Sequence, residues 1–314
     1  MDKPYLSIII PVYNEGEGLE ALNAQLLSLL DSLGKSYEII FSNDGSTDNS
    51  ALILDQLQAR HPKIIRVIHL NTNYGPDLAI MAALERVRGE VIITLEANAQ
   101  TSAADVQALL EKIAVGHDVV SGYRQNPQPR FRRWRSTLHH WAHTKMLPKK
   151  LTLRDPACML RAYRRSVVDL MIAGKELNTF VPALGLSYAQ NPIEIPVSYQ
   201  SPTRQSKYSL YGIIRHNLDL FTSFSLKPLH FFTLLGLSLS ALSGLLVIGM
   251  LLRRLFDGPE LQGVFTLFTI AFFFVGLCLL GLGILGEYIG RIYQEVRGRP
   301  RYLIRRILGK KYES

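Results

Sequence analysis

Two runs in the chain, Leu229 to Leu252 and Gly263 to Gly286, each hold 24 residues without a single Asp, Glu, Lys or Arg. As helix, each would extend about 36 Å at ~1.5 Å per residue, against a hydrocarbon core ~30 Å thick. Burying both as core helices is the alternative. Two all-round apolar helices of that length, side by side, are too much for a domain this small to cover. They read instead as two C-terminal transmembrane helices. The short link from Arg253 to Gln262 makes the pair a hairpin, so its two ends share one side. Basic residues assign that side. Eight Lys and Arg follow Gly286 and Lys227 precedes the first run, whereas the link carries only Arg253 and Arg254. The expected plan is a transmembrane hairpin over 228–286 and a basic tail over 287–314, with the tail and the globular part both cytoplasmic.

The apolar surplus belongs to that C-terminal part. Over the whole chain the residues are 47% hydrophobic and 19% charged, whereas roughly the first 225 read as an ordinary globular protein. The net charge of +9 fits nucleic acid, an anionic membrane surface or a phosphorylated substrate. Two cysteines, Cys158 and Cys278, are far apart and suit a reducing compartment without a disulfide framework. The start, MDKPYLSIII, has no long apolar stretch followed by a small-residue cleavage site. It reads as the first strand of a domain.

Leu6 to Val12 is a short β-branched run ended by a polar turn, the pattern of a buried strand. Helix is expected from about Gly18 to Leu33, strand over Tyr37–Ser42, and helix again from Asp48 to Ala59. Strand Ile64–Leu70, helix Asp77–Val87 and strand Glu90–Leu95 follow. Such alternation predicts a doubly wound, mostly parallel α/β sheet, with helices on both faces. Its ligands bind beyond the carboxyl ends of the strands. That places Tyr13-Asn14-Glu15, Asn43-Asp44 and Glu96-Ala97-Asn98 along one rim. Two further stretches look interfacial. Ser209 to Phe224 mixes Leu, Ile and Phe with Arg215, His216 and Asp219. Arg130 to Lys150 interleaves Arg132, Arg133, Arg135, Lys145, Lys149 and Lys150 with Phe131, Trp134, Trp141 and Leu147. Beside two membrane spans, lipid phosphate and headgroups are the favoured partners there over nucleic acid. His139, His140 and His143 lack the further ligands of a closed zinc site.

The phrase Ser7-Ile8-Ile9-Ile10-Pro11-Val12-Tyr13-Asn14-Glu15, followed by Asn43-Asp44-Gly45-Ser46-Thr47-Asp48, resembles the opening of the inverting family 2 (GT-A) glycosyltransferases. Further matching phrases are Asn71-Thr72-Asn73-Tyr74-Gly75, Gly89 to Leu95 and Cys158 to Arg165. With Leu285 to Tyr293 and Arg299-Pro300-Arg301-Tyr302 they are similar to the polyprenyl-phosphate branch of that family. Within the branch they stand nearest to the transferases of 4-deoxy-4-formamido-L-arabinose, a lipid A modification of the polymyxin-resistance pathway. The resemblance covers almost the whole chain.

That resemblance implies a GT-A domain at 1–200, a juxtamembrane interfacial segment at 201–227, and the hairpin and tail already described. It implies transfer of a sugar from a UDP-sugar to undecaprenyl phosphate at the cytoplasmic face of a bacterial inner membrane, and assembly as a homo-tetramer. By position, Pro11, Tyr13, Glu15 and Asp44 would hold uracil and ribose, and Lys207, in Ser206-Lys207-Tyr208, would face the donor phosphates. Asp155 falls on the catalytic carboxylate. Arg132, Arg133 and Ser136 match the clamp for the acceptor phosphate, where a guanidinium can grip phosphate with two hydrogen bonds. Arg204 stands near the place of the family's usual arginine. Mg²⁺ or Mn²⁺ would be held by Glu96 and Asn98, where the family has Asp-x-Asp. With one anionic ligand replaced by a neutral amide, metal affinity should fall. Asn43 likewise stands where the family has a carboxylate, and Pro76-Asp77 offers one nearby.

A second expectation therefore stands beside the first: a catalytically weakened paralogue that binds polyprenyl phosphate or regulates a sister transferase. A processive polysaccharide synthase would need a Gln-x-x-Arg-Trp motif and more spans, and the chain has neither. A nucleic-acid-binding membrane protein would leave the nucleotide-site phrases unexplained.

Overall fold

A computed structural model describes residues 3–97, 102–124, 153–155, 158–174, 180–198, 264–296 and 300–309, with single helical positions at 234, 238 and 245. The chain divides into two compact units, Met1–Lys207 together with Pro300–Ser314, and Tyr208–Arg299.

The first unit is built on one sheet. Strand β1 (Leu6–Val12) lies at its centre, paired in parallel with β2 (Tyr37–Asn43) on one side and β4 (Val91–Thr94) on the other. Strand β3 (Ile65–Leu70) extends the sheet in parallel beyond β2. Beyond β4 come β6 (Arg161–Arg164), β5 (Val119–Arg124) and β7 (Pro192–Val197), and β8 (Ile304–Leu308) pairs with β3. The order is β7-β5-β6-β4-β1-β2-β3-β8.

Alternation along β1 explains its burial. Leu6, Ile8, Ile10 and Val12 face α1 (Leu19–Ser32), α2 (Ser50–Arg60) and α4 (Ala103–Ala114) in one core. The intervening Ile9 is also fully buried, and α3 (Pro76–Leu84) packs against β1 and β2. Helices α5 (Arg165–Ala173) and α6 (Val181–Tyr188) pack with α3. Each Ile or Leu so buried stabilises the fold by about 1.5–3 kcal/mol. A strand covered on both faces needs the near-continuous apolar run that Leu6–Val12 supplies.

Two strands depart from the mostly parallel sheet expected from sequence, and the sheet is mixed. Strand β6 runs antiparallel to both β4 and β5. Strand β8 is antiparallel to β3. It arises from residues whose charge density reads as tail, yet Leu308 packs partly into the core.

At the amino end of the sheet, Glu38 is buried and fully engaged. Its Oε2 accepts from Arg66 Nη2 at 2.8 Å and Arg88 Nε at 2.9 Å, and its Oε1 accepts from Ser7 Oγ at 2.6 Å and the Arg88 N–H at 2.7 Å. A carboxylate taken out of water needs such partners.

In the second unit, α7 (Val264–Val296) is a single helix of 33 residues, about 50 Å long at ~1.5 Å per residue. Several of its side chains fall outside the described set, and among the residues described no helix is long and apolar enough to cross a membrane. The first expected span and the interfacial stretches lie outside the described residues, save positions 234, 238 and 245.

Candidate active site at the carboxyl ends of the strands

Because β1, β2, β3 and β4 run parallel, Val12, Asn43, Leu70 and Thr94 end on the same side of the sheet. The loops that follow are tied together by named hydrogen bonds. The Asn14 N–H donates to Ser46 Oγ at 3.1 Å, and Asn14 Oδ1 accepts from the N–H groups of Thr47 at 2.8 Å and Asp48 at 3.4 Å. The Glu15 N–H donates to Ser50 Oγ at 3.0 Å and the Gly16 N–H to Asp48 Oδ2 at 3.1 Å. Asn14 takes a left-handed conformation, φ 55°, which Asn tolerates better than most side chains. Strand β1 thus turns sharply as it leaves the sheet, with Tyr13 exposed at 38% and Pro11 and Glu15 half-buried.

Asp44 braces the neighbouring loop. Its Oδ1 accepts from the Tyr74 N–H at 2.7 Å and its Oδ2 from the Gly75 N–H at 2.8 Å. Burial raises its pKa above the usual carboxylate value, against those two amides, which lower it. Asp44 is buried, and a carboxylate oxygen that accepts one amide can in general accept a second donor. Gly45 follows at φ +64°, where an added Cβ would stand 2.4 Å from the Thr72 carbonyl carbon. Only glycine lets the two loops approach so closely.

On the other side of β1, Glu96 follows β4 and is half-buried. Asp155 receives a two-pronged grip from Arg124, at the end of β5: Nε to Oδ2 is 2.6 Å and Nη2 to Oδ1 is 2.9 Å. Burial opposes ionisation of Asp155, but the Arg124 hydrogen bonds and charge outweigh it and hold the carboxyl below its usual range. Arg124 is in turn raised, chiefly by Asp155, with a smaller contribution from Glu96. Behind them, Arg161 is 1% exposed. It donates from Nε to the Cys158 carbonyl at 3.0 Å, from Nη1 to Ser121 Oγ at 3.0 Å and from Nη2 to the Asp155 carbonyl at 3.2 Å. One buried guanidinium therefore fixes the backbone that carries Asp155.

Sequence reading did not single out Arg124 or Arg161. Arg161 sits inside the matched phrase Cys158 to Arg165, so its type was visible but its burial was not. Asp77 serves the scaffold: its Oδ1 accepts the Val181 N–H at 3.0 Å, satisfying an open donor in the first turn of α6. Burial lifts its pKa to about 6. Asn98, Arg132, Arg133, Ser136, Arg204 and Lys207 lie outside the described residues. Among the described residues no group of three or more His, Cys, Asp or Glu is arranged to hold a metal ion.

Residues 7–171, just over half of the chain, match glycosyl transferase family 2. The chain belongs to that family. Similarity to whole proteins extends further. The undecaprenyl-phosphate 4-deoxy-4-formamido-L-arabinose transferase of Pseudomonas fluorescens (strain SBW25) is 41% identical, over 98% of this chain and 92% of its own length. That of Edwardsiella ictaluri (strain 93-146) is 40% identical, over 97% and 94%. A crystal structure of glucosyl-3-phosphoglycerate synthase from Mycobacterium tuberculosis superposes with a TM-score of 0.49 at 16% identity. It covers 71% of this chain and 79% of that one, and is too distant to bear on chemistry. In this family 2 glycosyltransferase the matched span runs from β1 into α5, and so contains Pro11, Tyr13, Glu15, Asp44, Glu96 and Asp155.

Proposed function

We propose that this glycosyltransferase moves 4-deoxy-4-formamido-L-arabinose from a UDP-sugar to undecaprenyl phosphate, with inversion, at the cytoplasmic face of a bacterial inner membrane. The observation that carries this reading is identity of about 40% to two transferases of that name over nearly the full length of both. Similarity of that extent takes in the two uncharged runs as well as the globular part.

In the reaction, an acceptor phosphate oxygen attacks the anomeric carbon from the face opposite the leaving group. The bond from that carbon to the diphosphate oxygen breaks, and UDP departs with the electron pair. The nucleophile is already anionic, so no strong base is needed. Asp155, kept ionised by Arg124, suits a group that orients the acceptor and balances positive charge at the anomeric carbon rather than one that removes a proton. On the donor side, the loops carrying Tyr13, Glu15 and Asp44 offer carboxylates and an aromatic ring to a base and ribose. Arg132, Arg133 and Ser136 are the proposed acceptor clamp, and Lys207 the proposed partner of the donor phosphates. A divalent cation such as Mg²⁺ or Mn²⁺ would neutralise the diphosphate, with Glu96 and Asn98 as the proposed ligands. Glu96 is a hard anionic ligand, but among the described residues it does not stand in a cluster, and no step above depends on a metal.

The membrane hairpin belongs to the same proposal. Helix α7 begins at Val264 and runs through the rest of the second uncharged run to Gly286 and beyond. The chain leaves the first unit after Lys207 and returns to it at Pro300, and β8 joins the same sheet as β1. Any crossing between those points must occur an even number of times, as a hairpin provides.

The neutral Asn43 and Asn98, in place of carboxylates, favour one other reading: a weakened paralogue that binds the lipid or regulates a sister enzyme. Purified protein given radiolabelled UDP-sugar and undecaprenyl phosphate, with and without Mn²⁺, separates the two. Label moving into the lipid fraction supports the transferase. Lipid binding without turnover supports the paralogue.

A further inference from the structure

Asn43 is the last residue of β2 and belongs to the first loop of the site. In the sheet it lies directly beside His69 of β3, and His69 lies directly beside Arg306 of β8. Paired positions on neighbouring strands project to the same face. Three polar side chains therefore form a row across three strands, and Asp55 of α2 meets them. Asn43 Nδ2 is 2.9 Å from His69 Nδ1, His69 Nε2 is 2.9 Å from Asp55 Oδ1, and Arg306 pairs with Asp55 Oδ2. Asn43 and His69 are both buried.

The direction of each bond can be assigned. The Ser46 N–H donates to Asn43 Oδ1 at 3.0 Å, so that atom is oxygen and the amide NH₂ faces the imidazole. Nδ1 of His69 must then accept, which leaves the ring proton on Nε2 to donate to Asp55. The row works only with a neutral, Nε2-protonated histidine. Its far end reaches the site, because Ser46 Oγ accepts the Asn14 N–H that sets the loop bearing Tyr13 and Glu15.

We infer that His69 is a positioning residue for the donor site: with Asp55 and Arg306 it fixes Asn43, and through Asn43 the 43–48 and 13–16 loops that would receive the nucleotide. This rests on the donor reading given above. The C-terminal strand thereby contributes to the site from 251 positions beyond Asp55. A proton on Nδ1 would set N–H against NH₂. Asn43 would then lose His69 or, by turning its amide, lose Ser46. Burial lowers the His69 pKa, Asp55 opposes that, and Arg306 and Arg305 of β8 add to it. Among the described residues those three are the charged groups that act on the ring, from α2 and β8, and Asn43 on β2 is neutral. The row is therefore intact at neutral pH and breaks on acidification.

UDP binding to the full-length protein, by calorimetry between pH 7.5 and 5.5, tests this. His69→Ala should weaken UDP about tenfold at pH 7.5, as loss of a buried hydrogen-bond partner would. His69→Gln can accept from Asn43 through Oε1, donate to Asp55 through Nε2, and cannot titrate in this range. It should keep near wild-type affinity at pH 7.5 and lose less on acidification than the wild type. Titration of the UDP phosphate and of Asp77 is common to both proteins and drops out of that comparison. Arg306→Gln, on the surface, should weaken UDP in the same direction if the alanine variant fails to fold. If the wild type binds UDP, and the His69 variants bind it equally with the same pH response, the positioning role is overturned while the donor site stands. If the wild type binds no UDP, the donor reading falls and takes this role with it.

Discussion

Asp155 and Arg124 form a partly buried pair in which the permanent charge of Arg124 favours the ionised carboxylate. Arg124 and its hydrogen bonds outweigh burial and hold Asp155 below its ordinary value, which is about 3.9 for a free side chain. A depressed carboxyl contributes stability that is complete above about pH 4 and is lost as pH falls through the lower folded value. Arg124→Gln removes the cation while the burial remains, so the Asp155 pKa should rise. The acid limb of the kcat profile should then move to higher pH, read directly from rates between pH 4 and 8. Asp155→Asn removes the charge with little change in shape and should lower kcat about a hundredfold, the usual scale for losing one electrostatic group at a reacting centre. A variant with unchanged kcat would place Asp155 in the scaffold alone, with Arg161 behind it.

At the level of elements, the loops are as specific as the side chains they carry. Gly45 lies at φ +64° with the Thr72 and Asn73 backbone against it. Gly45→Ala should therefore cost about 1–3 kcal/mol of stability, measurable by denaturant unfolding, and should weaken UDP by disturbing Asp44 and Ser46. The first four strands were legible in the sequence to within a residue or two, because Leu6–Val12, Tyr37–Asn43 and Ile65–Leu70 are short β-branched or aromatic runs closed by polar turns. The rim of Tyr13, Glu15 and Asp44 followed from their parallel direction. What stayed hidden depends on long-range partners. Ile304–Leu308 looks like basic tail because Arg305 and Arg306 carry charge, and only pairing with β3 makes it a strand. Asp77 read as a spare rim carboxylate, but its acceptor role toward Val181 is set by a helix more than 100 positions away. Arg124 likewise acquires meaning only from Asp155, 31 positions on.

For the whole molecule, the chain returns into its own sheet, which limits any membrane topology it can have. The amino-terminal strands and Ile304–Leu308 share one sheet, so the globular part and the residues after Pro300 must lie on one side of any membrane crossed between them. Single cysteines at Leu52, which is exposed, and at Ser314 test this, in a background with Cys158 and Cys278 replaced by serine or alanine. In sealed vesicles a membrane-impermeant maleimide should label both sites from the cytoplasmic face. Labelling from opposite faces would refute the hairpin.

In the proposed reaction a bond forms between the anomeric carbon of the sugar and an oxygen of the lipid phosphate. Undecaprenyl phosphate carrying ¹⁸O on its phosphate, incubated with UDP-sugar and the purified protein, measures this by mass spectrometry of the lipid product. A lipid with a single phosphate and one added sugar is expected, with all of the ¹⁸O retained and one equivalent of UDP released. A lipid diphosphate, which requires transfer of a sugar phosphate, or recovery of the lipid unchanged under conditions where UDP binds, would contradict it.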